Sequence, residues 1–431
     1  MIHTRTPRSL IEVNSFVLFL PILKFAMSPN PHQPTDRLND PEVLLFEHSP
    51  FRNLDAIVQH DGKTVYFYLS EPQSEASQSE ASQPQRIPVF GTRACWVRNL
   101  DKGPMVLDQT QMQQGISPML PRTECVHREA QPIPDPDRLQ IVWFEEGNGA
   151  ALIETSNVPN ATPKTLAVIP PWSGLEGFHG YSAECVVENQ ICWPMPDNPN
   201  LHQRIQRAET FWSQWNSDNN PFNDLQPKIL AAYDERFLTT PNDDSNRQYF
   251  AIDGGAFPPR GLAQYTYQPA SHDPANPNQA EVILATVGMS ICPQPAVEIF
   301  NDDPSAHRRI ELAIRVPADR FNQGDDFSIE LLSQRLSGLA SYPWNKFTWL
   351  GPGHTCGLLG AEPGCHAVLL VHDHQLSRPR ASQTDNADPQ PVAMPSFRED
   401  PINLLWLIPI TPEQQQQLES DKITVEQILT S

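Results

Sequence analysis

The residues best equipped for chemistry lie between 354 and 374: His354-Thr355-Cys356, Cys365-His366 and His372-Asp373-His374. Imidazole and thiolate are ligands that zinc accepts readily, so a metal centre that activates water is the first chemistry this grouping suggests. His372 and His374 would share a face if the strand that holds them runs through both. With Glu145 or Glu146 as base, the set describes a metal-dependent hydrolase, the alternative function the sequence offers. The spacing argues against it. There is no Cys-x2-Cys pair, and eight residues separate Cys356 from Cys365, unlike the closely paired ligands of zinc knuckles. Adjacent strand residues point to opposite faces, so Glu145 and Glu146 are poor partners for one substrate bond. Neither Ser173 nor Ser290 has the Gly-x-Ser-x-Gly setting of a nucleophile elbow, and Gly147-Asn148-Gly149 lacks the lysine of a phosphate loop. The sequence therefore predicts no catalytic residue, no metal ligand and no cofactor.

The elements around this cluster read as a sheet with helices on it. Val282–Val287, Ile310–Val316, Ala367–Val371 and Ile402–Ile408 have the length and composition of strands. The second alternates: Ile310, Leu312, Ile314 and Val316 fall on one face, Glu311 and Arg315 on the other, which predicts a half-buried strand. The last is apolar on both faces and should be covered on both. Leu331, Leu332, Leu336 and Leu339 mark one face of a helix of about 12 residues. Thr411-Pro412-Glu413-Gln414 fits a capping box with proline in the first turn, opening a helix to roughly 420.

The order of these pieces resembles the suppressor-of-fused domain. Val287-Gly288-Met289-Ser290, the strand closing at Val316-Pro317, the helix from Ile329 to Tyr342, Gly351-Pro352-Gly353-His354-Thr355, and Leu405–Glu413 follow one another as in that family, over roughly 280–420. The resemblance implies a binding protein rather than an enzyme: animal members hold a transcription-factor peptide as an added strand, and bacterial ones include immunity proteins. Animal members carry an acidic residue after the Gly-apolar-Ser turn, where this chain has Ile291-Cys292-Pro293, so that peptide is not carried over. The expected function is a non-enzymatic adaptor or immunity-like protein, binding another protein through a basic or extended segment at a sheet edge or in the cleft between domains. The partner-binding residues this implies are Gly288, Met289, Ser290, Tyr342, Trp344, Trp349, Gly351, Gly353 and His354. Gly351 and Gly353 would shape a tight loop, with His354 anchoring it by donating from one ring nitrogen to a carbonyl.

Composition fits that reading. Thirty Lys+Arg against 51 Asp+Glu leave a net charge of −21, which repels nucleic acid and anionic membrane and suits a basic partner. Proline, at 45 of 431 residues, is roughly twice its usual share of about 5% and predicts many short elements joined by loops. Seven cysteines, an odd number without evident pairing, point to reduced thiols and a cytoplasmic location.

The chain is long enough for more than one domain. Residues 1–37 read as a disordered or mis-started extension; the apolar run Phe16–Met27 is interrupted by Pro21 and Lys24 and is too short to span a membrane. Residues 38–218 form an N-terminal domain of unassigned role and 219–431 the suppressor-of-fused-like domain. Asp61-Gly62 predicts a two-residue turn between strands 56–60 and 63–69, and a second hairpin turns at Glu145–Gly149. The doubled Gln-Ser-Glu-Ala-Ser at 73–82 predicts a mobile insertion over 71–86. A helix over Asn200–Asn216 presents Leu201, Ile205, Ala208, Phe211 or Trp212, and Trp215 to the preceding sheet, and a short one is placed around Lys228–Phe237. The fold class is α+β: two domains, each a mixed, largely antiparallel sheet with packed helices.

Overall fold

A computed structural model describes residues 41–51, 54–71, 92–113, 116–158, 161–175, 179–197, 199–215, 217–238, 247–251, 258–267, 280–322, 328–357, 367–376 and 393–430. The extension 1–37, nearly all of the insertion 71–86, and Cys365 and His366 lie outside these residues. The chain divides into two compact units, which among the described residues comprise 41–213 and 214–430.

The N-terminal unit holds two sheets. The first is an antiparallel meander of β1 (Glu42–His48), β2 (Asp55–His60), β3 (Thr64–Ser70) and β4 (Arg93–Asn99). The second runs β5 (Leu139–Trp143), β6 (Ala150–Glu154), β7 (Lys164–Ile169), β8 (Gly180–Ser182) and β9 (Cys192–Pro194), with β8 and β9 parallel. Leu54, Val58, Phe67 and Trp96 of the first share one buried core with Ile141, Trp143, Leu152 and Ile169 of the second. The second sheet is apolar on both faces because a helix covers its other side. Val142, Phe144, Ala151, Ile153 and Val168 meet Ile205 and Ala208 of α1 (Pro199–Trp215), with Leu201 and Trp212 alongside. The turn after β2 is longer than expected: three residues, 61–63, connect the strands, and the last pair is His60 with Val65. Asp61 takes the place of a tight turn, its Oδ1 accepting from Lys63 N and Thr64 N at 2.9 Å each. Glu145 and Glu146 do not alternate on a strand. Both are buried in the turn after β5, Glu146 paired with Arg204 and Glu145 3.7 Å from Arg207.

The C-terminal unit is built on one eight-stranded sheet. Its strands are β10 (Arg247–Ala251), β11 (Gly261–Tyr267), β12 (Glu281–Val287), β13 (Arg309–Pro317), β14 (Thr355–Gly357), β15 (Ala367–His372), β16 (Ser396–Phe397) and β17 (Asp400–Ile410). They lie in the order β10-β11-β12-β13-β17-β15-β14, with β16 on β17; β13 and β17 are parallel and the other pairs antiparallel. The short helix expected near 228 extends over α2 (Pro221–Phe237), which Asn220 caps by accepting from Phe222 N. Its Tyr233 and Phe237 pack edge-on against Tyr265, and Phe237 also meets Trp406. α3 (Ile329–Lys346) is half as long again as its leucines indicated. Ser328 caps it by accepting from Leu331 N at 3.2 Å, and Leu332, Leu336, Leu339, Ala340 and Trp344 form the buried stripe. α4 (Pro412–Glu419) starts at the expected capping box of Thr411 and Gln414, and α5 (Val425–Thr430) follows it. Among the described residues no helix is long and apolar enough to cross a membrane.

β13 departs from the half-buried expectation. Arg309 and Glu311 are fully buried, as are Ile310, Leu312 and Ile314. The strand is central, between β12 and β17, and the turn after β12 lies over its polar face.

Candidate functional site

The turn after β12 is fixed by charges on β13. Gly288 has φ +99°, and a Cβ there would stand 2.3 Å from the Phe222 ring, so only glycine fits. Met289–Ile291 then makes one 3-10 turn. Glu311 Oε1 accepts from Gly288 N at 2.9 Å, Ser290 N at 3.0 Å and Ser290 Oγ at 2.6 Å, while its Oε2 accepts from Thr286 Oγ1 at 2.6 Å. One position away on the same face, Arg309 Nη1 donates to Ser290 O at 3.1 Å and Ile291 O at 2.6 Å, and its Nε to Asp400 Oδ2 at 3.1 Å. A buried carboxylate thus collects the turn's donors and a buried guanidinium its acceptors, which is how polar groups are tolerated inside a sheet. Burial outweighs the four hydrogen bonds on the acid, pushing the Glu311 carboxyl up to about 7.

The second part of the site is the loop leading into β14. α3 ends at Phe347, in the left-handed region at φ 50°, whose N–H returns to Pro343 O. The Trp349 ring lies over Gly351, where an added Cβ would fall 2.1 Å from it. Gly353 takes φ +84°, and its N–H donates to Leu370 O at 2.8 Å, while Leu370 N donates to His354 O at 2.9 Å. The loop is therefore stitched to β15 before β14 begins. His354 stands edge-on to Trp349 at 4.4 Å and is hydrogen-bonded to the Trp349 main chain; burial holds its imidazole below the usual range, so it is neutral at pH 7. The His307 ring lies 5.6 Å from that of Trp349. Gln294 ties the two parts together: its Nε2 donates to His307 O at 2.9 Å and Leu350 O at 3.0 Å, and its Oε1 accepts from Leu350 N at 2.7 Å.

The residues expected at the partner surface fall into two groups. Trp349, Gly351, Gly353 and His354 form this one loop, and Tyr342, half-buried on α3, is close enough to Cys356 of β14 for the thiol to help burial push its phenol up. Gly288, Met289, Ser290 and Trp344 are buried within the chain. The sequence reading passed over Glu311, Arg309, Asp400 and Gln294. Charges inside a strand flanked by two apolar strands are a signal that could have found the first two, because a sheet covered on both faces must pair its charges internally.

The thiol and imidazole cluster does not come together as one centre among the described residues, which hold no group of three or more side chains placed to share a metal ion. His372 and His374 stack at 5.0 Å, and His307 is 6.5 Å from His372. Burial pushes the Cys356 thiol up to about 12, which keeps it protonated.

Comparison with known proteins bears on the C-terminal unit. No curated protein matches the sequence. Fifteen chains of solved structures match it. One of them, described as the Sufu-Fu complex crystal structure, has 10% sequence identity and a TM-score of 0.32, over 48% of this chain and 82% of its own. Residues 264–429 match the family model of Suppressor of fused protein (SUFU). The match to a suppressor-of-fused domain thus runs through the C-terminal part of the chain, from within β11 to the last helix.

Proposed function

We propose that this chain is a non-enzymatic protein-binding protein of the suppressor-of-fused type, an adaptor or immunity-like protein, which takes an extended segment of its partner along β14. The observation that carries the reading is the open space on that strand. β14 pairs with β15 on one side, while among the described residues a Cβ placed on Gly357, or on Gly353 just before the strand, would meet nothing within 4 Å. A chain added there would gain main-chain hydrogen bonds from the strand and contacts from Trp349, His354 and Tyr342 around it. Gly288, Met289, Ser290 and Trp344 would hold the loop in shape. The net charge of −21 favours a partner with a basic segment. The one solved structure named above holds a Sufu protein together with Fu, according to its description, which is in keeping with a protein partner.

The test is affinity capture from native lysate with the full chain and with Gly357→Trp, followed by competition with a peptide from the captured partner. The expected result is one stoichiometric partner, displaced by the peptide and at least tenfold reduced with Gly357→Trp at unchanged thermal stability. Capture unaffected by Gly357→Trp would overturn the assignment to β14. Stoichiometric zinc that is lost on replacing His354 and Cys356, together with ester or phosphate hydrolysis, would replace binding by the hydrolase reading.

A further inference from the structure

The loop that leads into β14 surrounds an indole with uncharged imidazoles and brings no cation of its own. From Phe347 to Gly357 the chain has no lysine or arginine. Trp349, His307 and His354 are each half-buried, so all three rings reach solvent. His354 stands 4.4 Å from Trp349 and His307 5.6 Å from it. Burial pulls both imidazoles below their usual range, so both are neutral at pH 7. His354 donates from one ring nitrogen to the Trp349 carbonyl, which leaves the other nitrogen an acceptor. Among the described residues no donor meets that nitrogen. Elsewhere an arginine of the chain covers an aromatic ring, Arg204 over Phe144 and Trp172 and Arg309 over Phe397. Among the described residues none lies over Trp349.

Negative charge stands beside this ring cluster. Asp302 and Asp303 are exposed a few residues ahead of His307, and the Asp303 carboxylate acts on the His307 ring. The Ser305 hydroxyl donates to Asp303 Oδ1 at 2.6 Å and holds that carboxyl below its usual range, so it is ionised at neutral pH. Asp373 is already occupied, accepting from Arg236 Nη1 at 3.0 Å and Trp406 Nε1 at 2.9 Å. The remaining titratable neighbours are His372, 6.5 Å from His307, and His374, stacked on His372 at 5.0 Å.

We infer that Trp349, flanked by His307 and His354, is the seat for an arginine side chain of the partner. The inference deepens the reading of β14 as the strand the partner joins, and it rests on that reading. A guanidinium stacks flat on an indole and keeps N–H groups at its edge for an acceptor nitrogen, which an ammonium does less well. Here the edge donates to the free nitrogen of His354, and Asp303 offsets the charge. Acid conditions reverse the match. As His307, His354 and His372 take up protons, like charges gather around the seat and the guanidinium is repelled.

The test titrates N-acetyl-arginine amide into the full chain, with its uncharged isostere N-acetyl-citrulline amide as control at equal ionic strength. The ring signals of Trp349, His307 and His354 are followed by NMR, each assigned by a single substitution. At pH 7.5 the arginine compound should shift all three signals saturably and bind roughly fivefold or more tighter than the citrulline compound. At pH 5 its binding should be several-fold weaker. Trp349→Leu should abolish the shifts at His307 and His354. Should Trp349→Leu fail to fold, the citrulline control and the comparison of the two pH values in the unsubstituted chain decide the matter. Equal binding of the two compounds, no saturable shift of these rings at pH 7.5, or arginine binding undiminished at pH 5 would overturn the inference. Failure of the β14 reading looks different: partner capture would then survive Gly357→Trp while the arginine compound still binds. Failure of the seat alone leaves capture sensitive to Gly357→Trp.

Discussion

Replacing Glu311 by glutamine should change how the C-terminal unit responds to pH more than how stable it is. The carboxyl titrates near 7 in the folded chain and near 4.5 when exposed. Below pH 4.5 it is protonated in both states and adds no pH dependence. Between 4.5 and 7 the unfolded chain has released the proton and the folded chain keeps it, so stability falls as pH rises, by up to about 1.4 kcal/mol per pH unit. Across the window the loss comes to about 3 kcal/mol, and above pH 7 it is complete. Glu311→Gln removes this dependence and keeps the scaffold. Its amide oxygen still accepts from Gly288 N and Ser290 N. Its amide nitrogen would face Thr286 Oγ1, which already accepts from Leu312 N at 2.8 Å and can turn its own proton to Leu312 O at 3.4 Å. Glu311→Ala, by contrast, leaves buried donors of the turn without an acceptor and should cost about 3–5 kcal/mol at any pH. The assay is a urea titration read by pulsed hydrogen exchange on peptides covering β12 and β13, so that the N-terminal unit does not contribute. Wild type and Glu311→Gln tracking together within about 0.5 kcal/mol from pH 4.5 to 8 would refute the reasoning.

Two further outcomes follow from the same layer. Asp400→Asn takes the carboxylate from Arg309, whose side chain is fully buried, and should destabilise the unit by about 3–5 kcal/mol, measured by the same titration. Gly288→Ala meets both the positive φ and the Phe222 ring and should cost about 2–3 kcal/mol; in a Phe222→Leu background the cost should shrink, which a double-mutant cycle of urea midpoints would detect.

What the sequence made legible is what depends on period and end chemistry. Alternation and apolar runs located β12, β13, β15 and β17, and the Thr411–Gln414 cap located α4, because each such signal is contained within a few neighbouring residues. α3 was underestimated since its last two turns pass through Tyr342-Pro343-Trp344, and proline normally argues against a continuing helix. Glu311 read as part of an outward face, with Arg315, because alternation cannot tell water from a buried partner supplied by another segment. That partner is the 288–291 turn, some twenty residues earlier in the chain. The candidate surface was partly legible for the same reason: Gly351 and Gly353 announce a shaped loop locally, whereas the burial of Met289, Ser290 and Trp344 is set by what covers them.

The parallel junction of β13 with β17 also governs the order in which the protein is made. Arg309 and Asp400 stand 91 residues apart, so at about 5–20 residues per second a ribosome delivers the second several seconds after the first. Throughout that interval β13 has its β12 neighbour but an open flank, with a cation that awaits its carboxylate. Nascent chains stalled before 400 should therefore be held by chaperones, and those released after 410 should escape them.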